Sequence, residues 1–313
     1  MKANIASLII IYITTSLFFL TGCATLRQKN PAKVLPASQW IGMLPPESYI
    51  IVKVDMQSNR KTLEKLFISL DNEKEEKILR RIVEKTDFIY ASLSSPENKI
   101  SGEERPELSL VAIGSYPKAA INCNLSGDKE WGKGEKGEIW WQHKTTGFQV
   151  AVPQKHLLLL STGKVEGMLA RTGGERNYNI PEEVEKELEV SDIVLYMPEP
   201  GGVKMSGVSA DIGNLPIKDF WITLLLVNEE YIGSGVFRLR DEKDARAVSL
   251  LSRLLLIAWM RKEGVGDISD LIEKVEVKTE GNYVRIKGLS FSSDVLAHLL
   301  LSKIETELGT MVQ

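Results

Sequence analysis

Residues 220–240 read FWITLLLVNEEYIGSGVFRLR, and this stretch decides the class of fold. Phe220–Val227 and Tyr231–Arg240 are both rich in β-branched, aromatic and other apolar residues, and a few polar residues separate them. This pattern predicts two successive β-strands. The second strand contains Gly233-Ser-Gly235, and glycine inside a strand pattern predicts a β-bulge or a close approach of another backbone.

The elements on either side of this strand pair follow an order that the first half of the chain also shows. An opening strand precedes the pair, and a helix, a hairpin and a final helix follow it. In the second half, the further elements are Ile193–Met197, a helix at 241–261, the hairpin strands Lys274–Lys278 and Tyr283–Leu289, and the helix Asp294–Ile304. Their counterparts in the first half are Tyr49–Asp55, Phe88–Leu93, Leu108–Ser115, a helix after Pro117, Ile139–Lys144, Phe148–Val152 and Val165–Ala170.

The repeated order predicts an α+β fold of two similar modules, each a mostly antiparallel sheet with helices packed on one face. We place the first module at 41–175, a connecting helix at 176–190 and the second module at 191–313. Residue identity between the halves is slight, so the duplication rests on the order of elements. The body resembles, loosely, duplicated α+β lipoproteins of uncharacterised function, and this resemblance implies the fold only.

The N-terminus predicts export and a lipid anchor. Lys2 precedes an apolar run of sixteen residues, Ile5–Leu20, which as a helix spans roughly 24 Å, less than a bilayer core. This length indicates a signal peptide, residues 1–22. Leu20-Thr-Gly-Cys23 resembles the lipobox of bacterial lipoproteins, and the resemblance implies that the Cys23 thiolate takes a diacylglycerol and becomes the new N-terminus. Residues 23–40 then form a lipidated tether.

The charge balance of the chain and the residue that follows Cys23 indicate which partners and which membrane to expect. The chain carries 39 basic and 42 acidic side chains, net −3, so no basic excess argues for nucleic acid. Two acyl chains suffice for stable membrane attachment. The resemblance to envelope lipoproteins implies, because Ala24 rather than aspartate follows Cys23, that the outer membrane is favoured over the inner membrane.

No pattern predicts catalysis, a metal or a cofactor. Ser161-Thr-Gly-Lys164 has the Ser-x-x-Lys spacing of penicillin-binding proteins, but the companion motifs are missing. We interpret it as a strand-to-helix turn in which Ser161 or Thr162 serves as a cap. The histidines at 143, 156 and 298 lie in no metal-ligand spacing. We therefore predict a protein that is not an enzyme.

Two apolar features are candidates for a contact site. In the helix at 241–261, the apolar spacing predicts a stripe that faces the core, made of Ala245, Val248, Leu251, Leu255 and Trp259. The same spacing predicts that Arg246, Ser249 and Arg253 face water. The run from Leu254 to Met260 is apolar for two turns, so Leu256, Ile257 and Met260 are either buried or a contact surface. The second feature is the pair Trp140-Trp141, whose side chains point to opposite faces of a strand. We therefore expect one of them to face solvent, a partner or the other module, and Trp141 is the candidate.

These observations favour a lipid-anchored envelope protein with a non-catalytic binding or structural role. Its expected partners are the membrane, reached through the lipid on Cys23, and a protein partner or a second copy of the chain. The second hypothesis is a carrier that shelters an apolar or lipidic ligand in a cavity between sheet and helix, suggested by residues 254–260. A hydrolase with dispersed site residues is the third.

Overall fold

A computed structural model defines the structure of residues 36–68, 80–94, 106–134, 139–173, 179–199, 216–263 and 275–297. The strands are β1 (Ser48–Asp55), β2 (Thr86–Ser94), β3 (Glu107–Gly114), β4 (Trp131–Lys133), β5 (Trp140–His143), β6 (Gln149–Gln154), β7 (Leu157–Ser161), β8 (Ile193–Pro198), β9 (Ile217–Val227), β10 (Glu230–Leu239), β11 (Glu276–Glu280) and β12 (Tyr283–Ser292). The helices are α1 (Ala37–Ile41), α2 (Arg60–Ile68), α3 (Lys118–Gly127), α4 (Val165–Ala170), α5 (Glu182–Val190) and α6 (Glu242–Glu263). Residues 80–85 and 293–297 are also helical. Within these ranges no helix has both the length and the apolarity needed to cross a membrane.

The first of two compact units contains residues 36–48, Lys53–Pro181 and Ala297. Its strands β2 to β7 form an antiparallel sheet in the order β2-β3-β7-β6-β5-β4, and β1 borders β2. Strand β7 lies inside this sheet, and all five of its residues are buried. A strand that is covered on both faces needs no polar alternation, which explains the run of four leucines from Leu157 to Leu160.

Both tryptophans of the Trp140-Trp141 pair are buried in this unit. Trp141, which is 7% exposed, belongs to a core cluster on one face of the sheet. Trp140 points to the opposite face and is 9% exposed. The prediction that one of the pair faces solvent therefore does not hold, because side chains cover the sheet on both faces here. The core cluster around Trp141 contains Leu110, Ala112, Tyr116, Ile121, Leu125, Trp131, Phe148, Val150, Val152, Leu158 and Leu160.

The second unit contains Tyr49–Val52 and Glu182–Leu296. Its antiparallel sheet has the order β11-β12-β10-β9-β8. The β10–β12 register shifts between Gly233 and Gly235, which confirms the predicted irregularity. A Cβ atom at Gly233 would lie 3.2 Å from Cβ of Leu289 and 3.3 Å from a methyl carbon of Leu224, so a larger residue would have to displace these side chains slightly.

Helices lie on both faces of this sheet. One face, which we call the α6 face, packs Phe220, Val284 and Ile286 against Ala245 and Val248 of α6. The other, the α5 face, carries the alternate residues of the same strands. On that face the Arg285 guanidinium lies 3.2 Å from the carboxylate of Glu183 in α5.

The composition of β9 explains why both faces of this sheet are covered. Strand β9 is apolar on both sides, with Phe220 on the α6 face and Trp221, 3% exposed, on the α5 face. Each face of the strand therefore needs its own cover, and on the α5 face the predicted connecting helix supplies a contact, Glu183 with Arg285. The α+β class with antiparallel sheets is confirmed, and the duplication of one module stays a prediction.

Candidate apolar contact site

Helix α6 begins at a side-chain cap. The carboxylate of Asp241 accepts the N–H of Asp244 at 2.8 Å, and the N–H of Ala245 donates to the Asp241 carbonyl at 3.1 Å. Such a cap satisfies N–H groups that the first turn leaves unpaired. Glu242 and Asp244 place negative charge at the positive end of the helix dipole. The helix is therefore fixed at its start, directly after β10.

Three leucines on the outer side of α6 form the candidate site. Leu250, Leu251 and Leu254 are 63%, 45% and 59% exposed, and we call this group the leucine stripe. The inner side of the same helix is buried, with Ala245 at 0% and Val248 at 5% exposure. Leu250 and Leu254 are four residues apart and share one helix face. Clustered exposed apolar residues of this kind mark contact surfaces, whereas scattered ones do not.

Charged side chains flank the leucine stripe. Arg246 forms an ion pair with Glu242 one turn earlier in the helix, and both side chains are exposed. Arg253 donates from its guanidinium to the Val277 carbonyl at 2.8 Å, which ties the helix to β11. An apolar stripe bordered by cations is the pattern of a helix that lies at an apolar–water boundary.

The buried arc of α6 differs from the predicted one. Leu251 was expected in the core and is 45% exposed, whereas Ser249 was expected to face water and is 9% exposed. Because apolar residues occupy most of the helix circumference, sequence period alone does not decide which arc meets the sheet. For this reason Leu250 was not predicted as a contact residue, although it lies four residues before Leu254, the first residue of the predicted apolar run.

The other predicted site residues fall in different places. Leu256, Ile257 and Met260 lie on the helical backbone of α6, but their side chains are outside the described part of the structure. Trp141 lies in the core of the first unit, where its indole N–H donates to the Asn122 side-chain oxygen at 3.0 Å. It is a packing residue with a satisfied donor, and it does not belong to an exposed surface. Cys23 lies outside the described residues.

The Ser161-x-x-Lys164 segment forms the predicted turn between β7 and α4. The Ser161 hydroxyl is 1% exposed, accepts the N–H of Gly163 at 2.9 Å and lies 3.3 Å from the Ser109 hydroxyl. At the start of α4, the side-chain oxygen of Gln149 accepts the N–H of Val165 at 2.8 Å. Ser161 is thus a buried structural hydroxyl, and not an activated nucleophile.

The titratable residues that the structure describes show no catalytic arrangement. His143 contacts the Thr146 hydroxyl at 3.0 Å, and His156 packs edge-on against Trp40. His298 lies outside the described residues. The described ranges also contain no cluster of three His, Cys, Asp or Glu side chains that would hold a metal ion.

The buried charged pair between β9 and β10 is structural. Asp219 is 2% exposed and pairs with Arg238 on the neighbouring strand, Nε to Oδ1 at 3.0 Å. Burial raises the pKa of the Asp219 carboxyl, although the guanidinium opposes this shift. Burial likewise raises the pKa of Tyr196, which is close enough to feel the charge of Asp219. The carboxylate is fully engaged by Arg238, so this pair binds β9 to β10.

The α+β body of antiparallel sheets is that of a class of bacterial lipoproteins, which a comparison with known families identifies. The family model described as "Outer membrane-associated lipoprotein TP0453" matches residues 37–280. The chain therefore belongs to the family of outer membrane-associated lipoproteins typified by TP0453. This membership confirms the predicted location of the protein, which is the cell envelope with the outer membrane favoured.

Solved structures of TP0453 share the fold. Crystal form III has a TM-score of 0.60 at 20% identity and covers 87% of this chain and 99% of that one. Crystal form I has a TM-score of 0.56 at 19% identity and covers 87% and 98%. At this identity the likeness shows the fold alone. A search of curated proteins found no match.

Proposed function

We propose that this protein is held on the outer membrane by lipid on Cys23 and contacts the bilayer through the leucine stripe of α6, in a non-catalytic role. The observation that carries the proposal is the exposure of Leu250, Leu251 and Leu254 on one side of a helix whose other side is buried. Membership of an outer membrane-associated family supports a bilayer as the partner.

The tether keeps the folded body close to the bilayer. Residues 24–35 separate the lipidated cysteine from the described structure. Twelve residues span at most about 40 Å when fully extended. An anchor of this reach keeps the exposed leucines at a high effective concentration near the lipid, so even a weak apolar contact becomes populated.

The exposed leucines set the size of the effect. Burying one leucine side chain completely is worth about 2 kcal/mol. Scaled by its exposed fraction, each leucine of the stripe contributes about 1 kcal/mol on entering the bilayer. Removing two of them is therefore expected to weaken vesicle binding by about 30-fold.

Vesicle flotation tests this proposal without the anchor. The mature chain carrying Cys23→Ser is mixed with phospholipid vesicles, and Leu250→Ser/Leu254→Ser is compared with its parent. The matched control is Leu225→Ser/Ile232→Ser, which removes two exposed apolar residues, 43% and 47% exposed, from a strand pair of the same unit. We expect the stripe variant alone to lose binding.

The same preparation separates the other hypotheses. A parent chain that does not float with vesicles contradicts the bilayer contact. Native mass spectrometry that shows a dimer lost in the stripe variant would assign the stripe to a second copy of the chain. Co-purified lipid that survives in the stripe variant would favour the carrier hypothesis.

A further inference from the structure

A second exposed apolar patch lies on the α5 face of the second unit, at the turn between β9 and β10. Leu225, Val227 and Ile232 are 43%, 39% and 47% exposed. Leu225 lies directly opposite Ile232 in the antiparallel ladder, and Val227 follows Leu225 by two residues, so all three share one face. Because α6 covers the opposite face, this patch is separate from the leucine stripe.

The C-terminal end of α5 extends the patch. Val190 is the last residue of that helix and is 67% exposed. Two residues later, the Asp192 N–H donates to the Leu224 carbonyl at 3.0 Å, and its carboxylate accepts the N–H of Leu226 at 2.6 Å. These bonds hold the end of α5 beside β9. We call Val190, Leu225, Val227 and Ile232 the hairpin patch.

Acidic residues predominate around the hairpin patch in the described structure. The nearest basic side chain on α5 is Lys186, one turn before Val190, and it pairs with Glu182 at 2.8 Å. The three segments that meet at this end of the unit, 187–195, 222–233 and 288–297, contain no Lys, Arg or His. The acidic residues in these segments are Glu187, Glu189, Asp192, Glu229, Glu230 and Asp294. The Glu230 carboxylate accepts the Ser290 hydroxyl at 3.1 Å, and Ser290 lies opposite Ile232 in the sheet. Negative charge therefore borders the apolar residues directly.

The turn itself retains a carboxylate at a strained position. Asn228 and Glu229 both have positive φ, 52° and 70°. A two-residue hairpin turn of this kind is least strained with glycine at its second central position. A non-glycine residue in a sparsely populated backbone region is one sign of a functional requirement. In this turn that residue is Glu229, whose carboxylate lies at the tip of the patch.

We propose that the hairpin patch docks a basic, amphipathic segment of a protein partner. Apolar side chains of that segment would cover Leu225 and Ile232, and its Lys or Arg side chains would meet the acidic border. Complementary charge speeds encounter and selects the partner. The same acidic border repels an anionic lipid surface, which argues against the bilayer as the occupant of this patch.

Peptide binding to the full mature protein in detergent tests the proposal. The probe is a fluorescent amphipathic peptide of leucine and lysine, and the control peptide has glutamate in place of lysine. In Leu225→Ser/Ile232→Ser the dissociation constant for the lysine peptide is expected to rise by about tenfold or more. In Glu229→Gln/Glu230→Gln it is expected to rise several-fold and to depend less on salt. Leu250→Ser/Leu254→Ser, the matched control, should bind as the parent does.

Three results would overturn the proposal. One is equal affinity of the parent and both patch variants for the lysine peptide, with circular dichroism showing all of them folded. Another is binding of the glutamate peptide as tight as that of the lysine peptide. The third is a patch variant that keeps peptide binding but loses binding to phosphatidylglycerol vesicles, which would assign the patch to a membrane surface. Because the leucine stripe variant is assayed separately, failure here leaves the proposed bilayer contact untouched.

Discussion

Removing the Arg238 side chain is predicted to destabilise the second unit strongly, because Asp219 would become a buried carboxylate without a cation. Asp219 is 2% exposed, and Arg238 lies directly opposite it on β10. The guanidinium donates to both carboxylate oxygens. Among the described residues, no other basic side chain hydrogen-bonds to this carboxylate.

The geometry sets the expected magnitude. Breaking a buried ion pair by removing one partner costs about 3–5 kcal/mol. The Arg238 side chain is itself 34% exposed, so water reaches part of the site, and we expect the lower end, about 3 kcal/mol. The matched control is Arg246→Ala on α6, whose pair with Glu242 is exposed at 73% and 59%. That variant should lose about 0.5 kcal/mol or less.

Urea unfolding at pH 7, followed by tryptophan fluorescence, measures the effect, and a pH series checks its cause. Burial already raises the pKa of Asp219, and loss of the guanidinium raises it further. A carboxyl with a raised folded-state pKa penalises the folded state at high pH. The stability deficit of Arg238→Ala should therefore be full above the folded-state pKa and shrink as the pH falls toward about 3.9, the unfolded value.

The double variant Asp219→Asn/Arg238→Ala removes the unpaired charge, so it should recover part of the stability that Arg238→Ala loses. Two outcomes would refute the reasoning. The first is an Arg238→Ala protein within about 1 kcal/mol of its parent at pH 7. The second is a double variant no more stable than Arg238→Ala, since the cost would then not come from the buried carboxylate.

Three further predictions concern the core, the turn and the anchor. Trp141→Phe leaves Asn122 without its indole donor and should lower the free energy of unfolding in urea by about 1–3 kcal/mol. Trp140→Phe removes a buried N–H that has no partner within the described structure, so it should lower the free energy of unfolding less. A larger loss of stability in Trp140→Phe than in Trp141→Phe would contradict the described packing. Glu229→Gly relieves a positive φ of 70° and should stabilise the protein by about 1 kcal/mol; a lower melting temperature would show that the turn is not strained. Cys23→Ser should release the mature chain from membranes or leave an unprocessed precursor, and a variant that fractionates and migrates as the parent does would disprove lipid attachment there.

The local sequence pattern was sufficient to predict most of the strands and helices. The hairpin around Phe220–Arg240, the helix at Val165–Ala170 and the irregularity at Gly233 were all predicted, and the structure has them at or near the predicted residues. Strand β4 and helix α1 were not predicted. Strand β4 has three residues, Trp131–Lys133, which is too short for a periodic signal, and it exists through pairing with β5.

The candidate contact surfaces were predictable only in part. The sequence pointed to the apolar run from Leu254 to Met260 in α6, and the exposed leucines in the described structure are Leu254 and, one turn earlier, Leu250 and Leu251. The hairpin patch was not predicted. Val190 and Ile232 are far apart in the chain, and no short-range pattern relates the end of one helix to the middle of a strand.

Sequence by itself determined the exported, lipid-anchored character of the protein, its α+β class and the positions of most of its strands, because each of these follows from the order of neighbouring residues. Only the tertiary structure decided which residues are exposed. Trp140 and Trp141 are both buried because the sheet is covered on both faces, and Leu251 is exposed because another arc of α6 faces the sheet. Burial depends on what packs against a side chain, and strand order and helix placement decide that across long separations in the chain.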